Sequence, residues 1–323
     1  MAASRNKPST DLPKRVGAFL AARLDPEGRL SVGLSGGCDS VVLLHVLVAL
    51  GLRERLQAIH VHHGLSPNAD AWAEFCGDYC RRLGVSFVTR RVTVDASTGS
   101  GLEAAARDAR YAVFAELAGD TLLLGHHRGD QAETVLFNLL RGAGVTGAAG
   151  IPAERRFGPH RLLRPLLDVS RGEIEAYARH VGLAWIDDES NGDTAITRNF
   201  LRHQTLVALG QRFPAAESAL ALAASHFAEA GALLDELAEL DWQRVAEGGA
   251  ARLGDLRQLS VPRVKNLLRH RLRLLGWQVP VASRLDEFVR QVVTAGPDRH
   301  PELVLPDGKM RVAQRRLHWL SGK

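Results

Sequence analysis

The sequence predicts an α/β protein, a doubly wound parallel sheet with a second, smaller, mainly helical domain. Three observations predict it. Between Leu30 and about Asp188, short apolar runs alternate with segments of helical period. Those runs are largely apolar or β-branched, as strands covered on both faces are. After Leu209 the composition turns to Ala, Leu and Glu with sustained helical spacing.

The strands are expected at Leu30–Leu34, Leu56–Val61, Phe87–Val94 and Leu122–Leu124, each a short apolar or β-branched run between turn residues. Helices are expected between them, at Val41–Leu50, Asn68–Leu83, Leu102–Ala118 and Asp130–Arg141. Right-handed crossovers turn this alternation into a Rossmann-like sheet with helices on both faces. Arg141–Pro152, RGAGVTGAAGIP, has no clear period and is long for a connection, which predicts a functional loop near the active site. Ser170–Val181 predicts a helix opened by a capping box of Ser170 and Glu173.

Ala215–Glu247 predicts a long helix or helical hairpin, and Val261–Leu275 a helix carrying Arg263, Lys265, Arg269, Arg271 and Arg273. The tail, LVLPDGKMRVAQRRLHWL, predicts two strands around a Pro-Asp-Gly turn. The domain boundary is expected near Gly210–Pro214, which divides the chain into 1–212 and 213–323.

Composition narrows the class. The chain has 323 residues, more than one core usually serves, and its 46% hydrophobic and 24% charged residues are ordinary for a globular protein. No stretch approaches the roughly 20 unbroken apolar residues that span a bilayer. The basic start, MAASRNKPSTDLPKR, is not followed by an apolar core with a cleavage site, so a cytoplasmic location without membrane partners is expected. Cys38, Cys76 and Cys80 are too few for a disulfide framework, and no Cys/His set has zinc spacing. A formal charge of +5 and a pI of about 9.4 are compatible with a nucleic-acid partner without establishing one.

The strongest motif is RLSVGL-SGGCDS-VVLLHVLVAL, a strand running through Ser35, Gly36, Gly37, Cys38, Asp39 and Ser40 into a helix. Backbone N–H groups and a helix N-terminus converge there, a ready site for phosphate. Glycine at 36 and 37 lets the backbone approach an anion, and the Ser35 and Ser40 hydroxyls add donors. Asp39 repels phosphate unaided, so a bridging Mg²⁺ is expected beside it. The loop has neither the GxxxxGK[ST] spacing nor GxGxxG. SGGxDS after a first strand resembles instead the pyrophosphatase loop of the N-type ATP pyrophosphatases, which attack ATP at its α-phosphate.

A second cluster, LLLGHHRGDQAETVLFNLLRG, follows the strand at Leu122–Leu124 with His126, His127, Asp130 and Glu133. Asp130 and Glu133 are spaced to share one helical face. The carboxyl ends of parallel strands share an edge, so this pair is expected to face the Ser35–Ser40 loop. Two carboxylates there suit Mg²⁺ or a substrate ammonium group.

Three more segments complete the pattern: AIHVHHGL at Ala58–Leu65, ARDARY at Ala106–Tyr111, and DDESNGDTAITRNFLR at Asp187–Arg202. In this order, SGGCDS, HHGL, ARDARY, GHHRGDQAET and SN…TRNFLR together resemble the tRNA(Ile)-lysidine synthetase family. The likeness runs from about Leu30 to Leu209 and is weaker beyond. SGGxDS alone marks only the PP-loop superfamily, with its adenine nucleotide alpha hydrolase-like fold; the ordered set is far more specific.

The resemblance implies a ligase acting in two steps. ATP adenylates carbon 2 of the wobble cytidine in a CAU anticodon, and free L-lysine then displaces AMP. It implies that Ser35, Gly36, Gly37, Cys38, Asp39 and Ser40 hold ATP, with Asp39 and Asp130 on Mg²⁺. Asp130 and Glu133 would orient lysine or the metal, and Arg107 or Arg110, and Arg198, would stabilise phosphate charge. His127, Arg110 and Arg202 would contact substrate. Arg263, Lys265 and Arg269 fit a tRNA-backbone role in the second domain, beside the alternative of a solvated basic face. Many relatives carry an acidic or amide residue where this chain has Gly129, which loosens the expected placement of metal or lysine. The chain is also expected to resemble the shorter members of the family, and a homodimer is left open.

Three rivals share parts of this pattern. A PP-loop tRNA thiolase generally needs sulfur-carrying cysteines, often as CxxC, and Cys76-x3-Cys80 is poorly spaced for that. An amidotransferase-type synthetase making GMP or NAD lacks the His-Asp-Gln-Ala-Glu-Thr cluster. A non-catalytic RNA- or nucleotide-binding module would not need Asp39, Asp130 and Glu133, and all three are present.

Overall fold

The computed structural model describes residues 11–94, 102–187, 197–296 and 298–322. Two compact units divide the chain, Met1–His226 and Phe227–Lys323. In the first, α1 (Leu12–Ala21) precedes β1 (Leu30–Gly33), α2 (Cys38–Ala49), β2 (Leu56–His62), α3 (Ala69–Leu83), β3 (Ser86–Arg91), α4 (Leu102–Leu117), β4 (Thr121–Leu123) and α5 (Arg128–Leu140). Then come α6 (Val145–Ala148), β5 (Glu154–Phe157), β6 (His160–Leu163), α7 (Arg171–His180), α8 (Thr197–Phe200), one π-helical turn (Leu201–Thr205) and α9 (Leu206–Arg212).

Among the described residues the sheet has six strands in the order β3-β2-β1-β4-β6-β5. All neighbours run parallel except β5, which is antiparallel to β6. Val32 at the centre of β1 lies opposite Ala58 on one side and Leu123 on the other. One face of the sheet is covered by α1, α2, α3 and α7, with Val16, Leu44, Cys76 and Ile174 in that core. The other face carries Ile59, Val61, Leu122 and Leu162 against Val113 and Phe114 of α4. The helix α2 is apolar on nearly every side because Val41, Val42, Leu43, Leu44, Val46 and Leu47 are all fully buried. The chain builds β1, β2 and β3 outward in one direction, then returns to place β4 on the opposite side of β1. That reversal makes a crevice at the carboxyl ends of β1 and β4.

The parallel α/β core matches the expectation. The hairpin β5–β6 was not foreseen: His160–Leu163 is too short to carry a period of its own, and its pairing to β4 is a tertiary event. The helices α2 and α5 begin earlier than their apolar periods suggest, because Gly37 and His127 cap them. The glycine-rich Arg141–Pro152 connection is pinned to α5. Gln131 Nε2 donates to the Ile151 carbonyl at 3.1 Å, the Ile151 amide donates to Gln131 Oε1 at 2.6 Å, and Asn138 Nδ2 donates to the Gly147 carbonyl at 2.7 Å.

The division between units falls within α10 (Ala216–Val245). The second unit continues with β7 (Ala246–Glu247), β8 (Ala250–Arg252), α11 (Leu253–Leu256), α12 (Val261–Leu274), α13 (Ala282–Thr294), β9 (Glu302–Leu305), β10 (Gly308–Ala313) and β11 (Arg316–Ser321). Beyond the expected helices it holds a five-stranded antiparallel sheet, ordered β7-β8-β11-β10-β9. Leu268, Leu272, Leu285, Phe288, Met310 and Leu317 share its core. The Pro-Asp-Gly turn joins β9 to β10 as the sequence indicates.

Candidate active site

Ser35–Ser40 bridge β1 to α2 at the crevice. Gly36 has φ +92°, and a Cβ there would lie 2.5 Å from Ile186 Cδ1. The Ile186 amide donates to the Gly36 carbonyl at 3.0 Å, so a later segment is stitched to the loop. Gly37 differs: a Cβ would meet only the Ser35 hydroxyl at 3.5 Å and the Ile186 carbonyl at 4.0 Å, which the protein itself tolerates.

The serine hydroxyls, expected as ligand donors, are engaged inside the loop. Ser40 Oγ donates to the Gly37 carbonyl at 2.9 Å and accepts from the Ser35 amide at 3.2 Å, while Ser35 Oγ accepts from the Gly37 amide at 3.3 Å. They hold its shape. Donors for an anion are left to the first amides of α2, at Cys38 and Asp39, at the positive end of the helix dipole, while the Ser40 amide donates to the Gly37 carbonyl at 3.1 Å. Gly125, just after β4, allows the close packing, since a Cβ would lie 3.0 Å from the Asp39 carbonyl oxygen.

Asp39 Oδ2 accepts from Arg171 Nη1 at 2.6 Å, and Asp39 Oδ1 is buried with no hydrogen-bond partner. His127 Nδ1 accepts from the Gly129 amide at 3.0 Å. An amide only donates, so the neutral ring carries its proton on Nε2. That nitrogen lies 4.0 Å from Asp39 Oδ2 and 3.8 Å from Asp130 Oδ2. A Cβ on Gly129 would lie 2.7 Å from His127 Cε1, so glycine there leaves the imidazole room to cap α5.

Asp130 and Glu133 do share a helical face, and Arg202 binds both. Glu133 accepts from Arg202 Nε at 2.5 Å and Nη2 at 3.0 Å, and Asp130 Oδ1 accepts from Nη2 at 3.1 Å. Arg202 stands on the π-helical turn, an irregularity often found at functional sites.

The three carboxylates respond differently to one enclosure. Burial lifts Asp39 above the usual range despite His127 and Arg171, and lifts Glu133 despite Arg202. Asp130 is held below it: burial pushes it up, but His127, His126, the His127 amide and Arg202 together outweigh burial. Carboxyls whose proton affinities are pushed apart suit cation binding and proton acceptance side by side.

His126 and His127 are neighbours with different partners: His127 Nε2 lies near Asp39 and Asp130, whereas His126 takes Arg164, and Asp130 acts on both. His126 faces arginines. Arg164, at the end of β6, donates from Nε to His126 Nδ1 at 3.2 Å. Arg107 from α4 and Arg155 from β5 each lie 5.2 Å from the Tyr111 ring centroid. Arg110, on the same helix, acts on both His63 and His126. Burial, reinforced by Arg164, Arg110 and Arg107 against Asp130, holds His126 well below its usual range. Burial and then Arg110 bring His63 down to about 4.

Arg198 stands half-buried on α8, while residues 188–196 of the preceding motif lie outside the described residues. In the second unit, Arg263 pairs with the fully buried carboxylate of Asp241 on α10, and Lys265 with Asp286 on α13 at 2.8 Å. Both expected phosphate contacts are thus engaged in ion pairs within the unit while remaining partly exposed. Arg269 is half-buried on α12.

Sequence reasoning missed Arg171, Arg155 and Arg164. A signal existed for two of them: Arg171 directly follows the capping serine Ser170, and Arg164 interrupts an apolar run, Leu162-Leu163 before Pro165-Leu166-Leu167. Arg155 had none.

Residues 8–209 match the PP-loop domain family, and residues 252–318 match the TilS substrate-binding domain family. The chain is 49% identical over 293 residues to a tRNA(Ile)-lysidine synthase of Aromatoleum aromaticum, covering 90% of this chain and 68% of that protein. It is 44% identical over 317 residues to a tRNA(Ile)-lysidine synthase of Alkalilimnicola ehrlichii, covering 97% of this chain and 71% of that one. Among solved structures it is similar to a U34-tRNA thiolase from Methanococcus maripaludis with its [4Fe-4S] cluster. That match has a TM-score of 0.56 at 18% identity, covers 68% of this chain and 79% of the other, and shows a shared fold. Matched by both domain families and by these relatives over most of its length, the chain belongs to the tRNA(Ile)-lysidine synthase family.

Proposed function

We propose that this protein uses ATP to adenylate carbon 2 of the wobble cytidine in the CAU anticodon of isoleucine tRNA. Free L-lysine is then joined at that carbon to form lysidine, with AMP and pyrophosphate released. The convergence of the Ser35–Ser40 loop with Asp39, Asp130 and Glu133 at the reversal of strand order carries this reading. A cytoplasmic setting accords with it, and among the described residues no helix is long and apolar enough to cross a membrane.

The loop amides at the start of α2 receive the phosphates, where a fixed positive dipole needs no reorganisation as charge moves onto the departing pyrophosphate. The residues fit Mg²⁺ as well. Asp39 Oδ1 is a buried oxygen without a partner, with Asp130 close by across His127. Among the described residues no three His, Cys, Asp or Glu side chains form a metal site. Mg²⁺ is usually held by one or two carboxylates together with substrate phosphates. Asp39 and Asp130 would hold the ion, which when bound neutralises phosphate charge.

Asp130 and Glu133, which receive Arg202 in this structure, are also the acceptors for the lysine ammonium. The amine sheds a proton to attack carbon 2, AMP leaves, and Glu133 is the acceptor we assign, since burial raises its affinity for a proton. Arg110 and Arg198 remain candidates for phosphate charge, and Arg269 for the tRNA backbone. Sulfur transfer is disfavoured by the cysteines: burial pushes the thiols of Cys38, Cys76 and Cys80 up to about 12, far from the reactive thiolate.

Incubation with α-labelled ATP, isoleucine tRNA bearing CAU and labelled lysine tests the reading. Release of AMP with lysine fixed in the tRNA supports it. Release of AMP without lysine in the tRNA overturns the choice of nucleophile.

A further inference from the structure

Arg164 is a buried cation that lacks an anion. It is 2% exposed, and its hydrogen bonds go to neutral acceptors, His126 Nδ1 at 3.2 Å and the Pro152 carbonyl at 2.6 Å. The charged groups that act on it most strongly besides Tyr111 are Arg155 and Arg107, which repel it. Buried charges are normally paired, because an unpaired one loses its hydration and gains nothing in return.

The same two arginines flank Tyr111. Both are exposed, they come from different elements, and each guanidinium carbon is 5.2 Å from the ring centroid. The buried Tyr111 hydroxyl lies beside the Arg164 guanidinium, which acts on it, but makes no hydrogen bond of good geometry. Burial disfavours its ionisation, yet Arg107, Arg164 and Arg155 outweigh burial and hold the phenol below its usual range. The histidines alongside stay neutral at physiological pH, so they add hydrogen-bonding capacity without more charge.

A buried guanidinium whose nearest partner is a neutral phenol, together with two exposed guanidinia, is completed by one kind of group, an anion with several acceptor oxygens. A phosphoryl group has that chemistry. It has two sources here, the phosphates of ATP and the backbone of an RNA. The different partners of His126 and His127 favour the second. Asp39 of the nucleotide loop lies 4.0 Å from His127 Nε2, whereas Arg164 of the cluster donates to His126 at 3.2 Å.

We propose that Arg107, Arg155 and Arg164, gathered around Tyr111, bind a backbone phosphate of the RNA strand beside the nucleotide being modified. This rests on the tRNA reading above and moves Arg107 from the phosphates of ATP to those of the RNA.

The test titrates a fluorescent anticodon stem-loop bearing CAU with the full chain and with its Arg155→Ala and Arg155→Lys variants, across a range of salt. Binding of a non-hydrolysable ATP analogue is measured in parallel, and thermal melting confirms that the variants are folded. Arg155→Ala is expected to bind the stem-loop about tenfold more weakly, with a salt slope smaller by about one. Its affinity for the ATP analogue is retained, and Arg155→Lys recovers part of the loss. Unchanged stem-loop affinity and slope in a folded Arg155→Ala overturns the proposal. So does a loss confined to the ATP analogue, which would place nucleotide phosphates on the cluster. A wild-type chain that binds no stem-loop would instead remove the tRNA reading itself, and the proposal with it.

Discussion

Arg171 Nη1 donates to Asp39 Oδ2 at 2.6 Å, joining the start of α7 to the start of α2. The same guanidinium donates from Nε to Glu175 at 2.9 Å, so its orientation is set from its own helix. Burial already raises Asp39, and Arg171 is one of the groups that restrain it. Arg171→Ala is therefore expected to raise the KM for ATP in the presence of Mg²⁺ roughly tenfold, the scale of one charge-assisted hydrogen bond. Arg171→Lys should recover part of it. Asp39→Ala should abolish AMP release in a protein that still melts cooperatively. Wild-type kinetics in Arg171→Ala would mean that the ion pair only fastens the two helices together.

Gly36 and Gly37 are adjacent and constrained for different reasons. Gly36→Ala meets both a left-handed backbone and Ile186, so it should lower stability by about 1–3 kcal/mol as well as weaken ATP binding. Gly37→Ala should fold as well as wild type, because its nearest neighbour would be at 3.5 Å. Its ATP affinity should nonetheless fall, since the new methyl occupies the anion's approach. Equal melting temperatures for the two variants would contradict this division.

Acid should destabilise the first unit through its neutral histidines. His63 drops from 6.5 to about 4 in the folded protein. Below pH ~6.5 the unfolded chain binds a proton that the folded chain refuses, so stability falls as pH drops from there towards 4. His63→Asn should soften the loss between pH 7 and 5 by about 1 kcal/mol, after discounting for the partial exposure of the ring. Chemical denaturation at both pH values measures it. Parallel losses in wild type and variant would refute the assignment.

In the second unit Arg263 neutralises a carboxylate with no exposed surface. Arg263→Ala should lower the melting temperature by roughly 5 °C or more, as the scaling with domain size suggests. Arg269→Ala should leave melting unchanged and weaken stem-loop binding. A stable Arg263→Ala with reduced RNA affinity would place Arg263 among the tRNA contacts.

What could be read directly from the chain was local. A strand ending in Ser-Gly-Gly and opening a helix brings amides together within six residues, and the spacing of Asp130 and Glu133 sets both on one helical face whatever surrounds them. The parallel α/β core followed in the same way, because side-chain period and turn residues act over short stretches. Only the tertiary structure decided which charges meet. Arg171 reaches Asp39 across 132 residues, and Arg155 reaches Tyr111 from a hairpin whose pairing leaves no period in the sequence. It also paired Arg263 and Lys265 with Asp241 and Asp286, although their spacing alone reads as a basic face. The physical reason is common to all of these. Secondary structure is selected by neighbours a few residues away, whereas a charge takes its partner from whatever the packed core brings within a few ångströms.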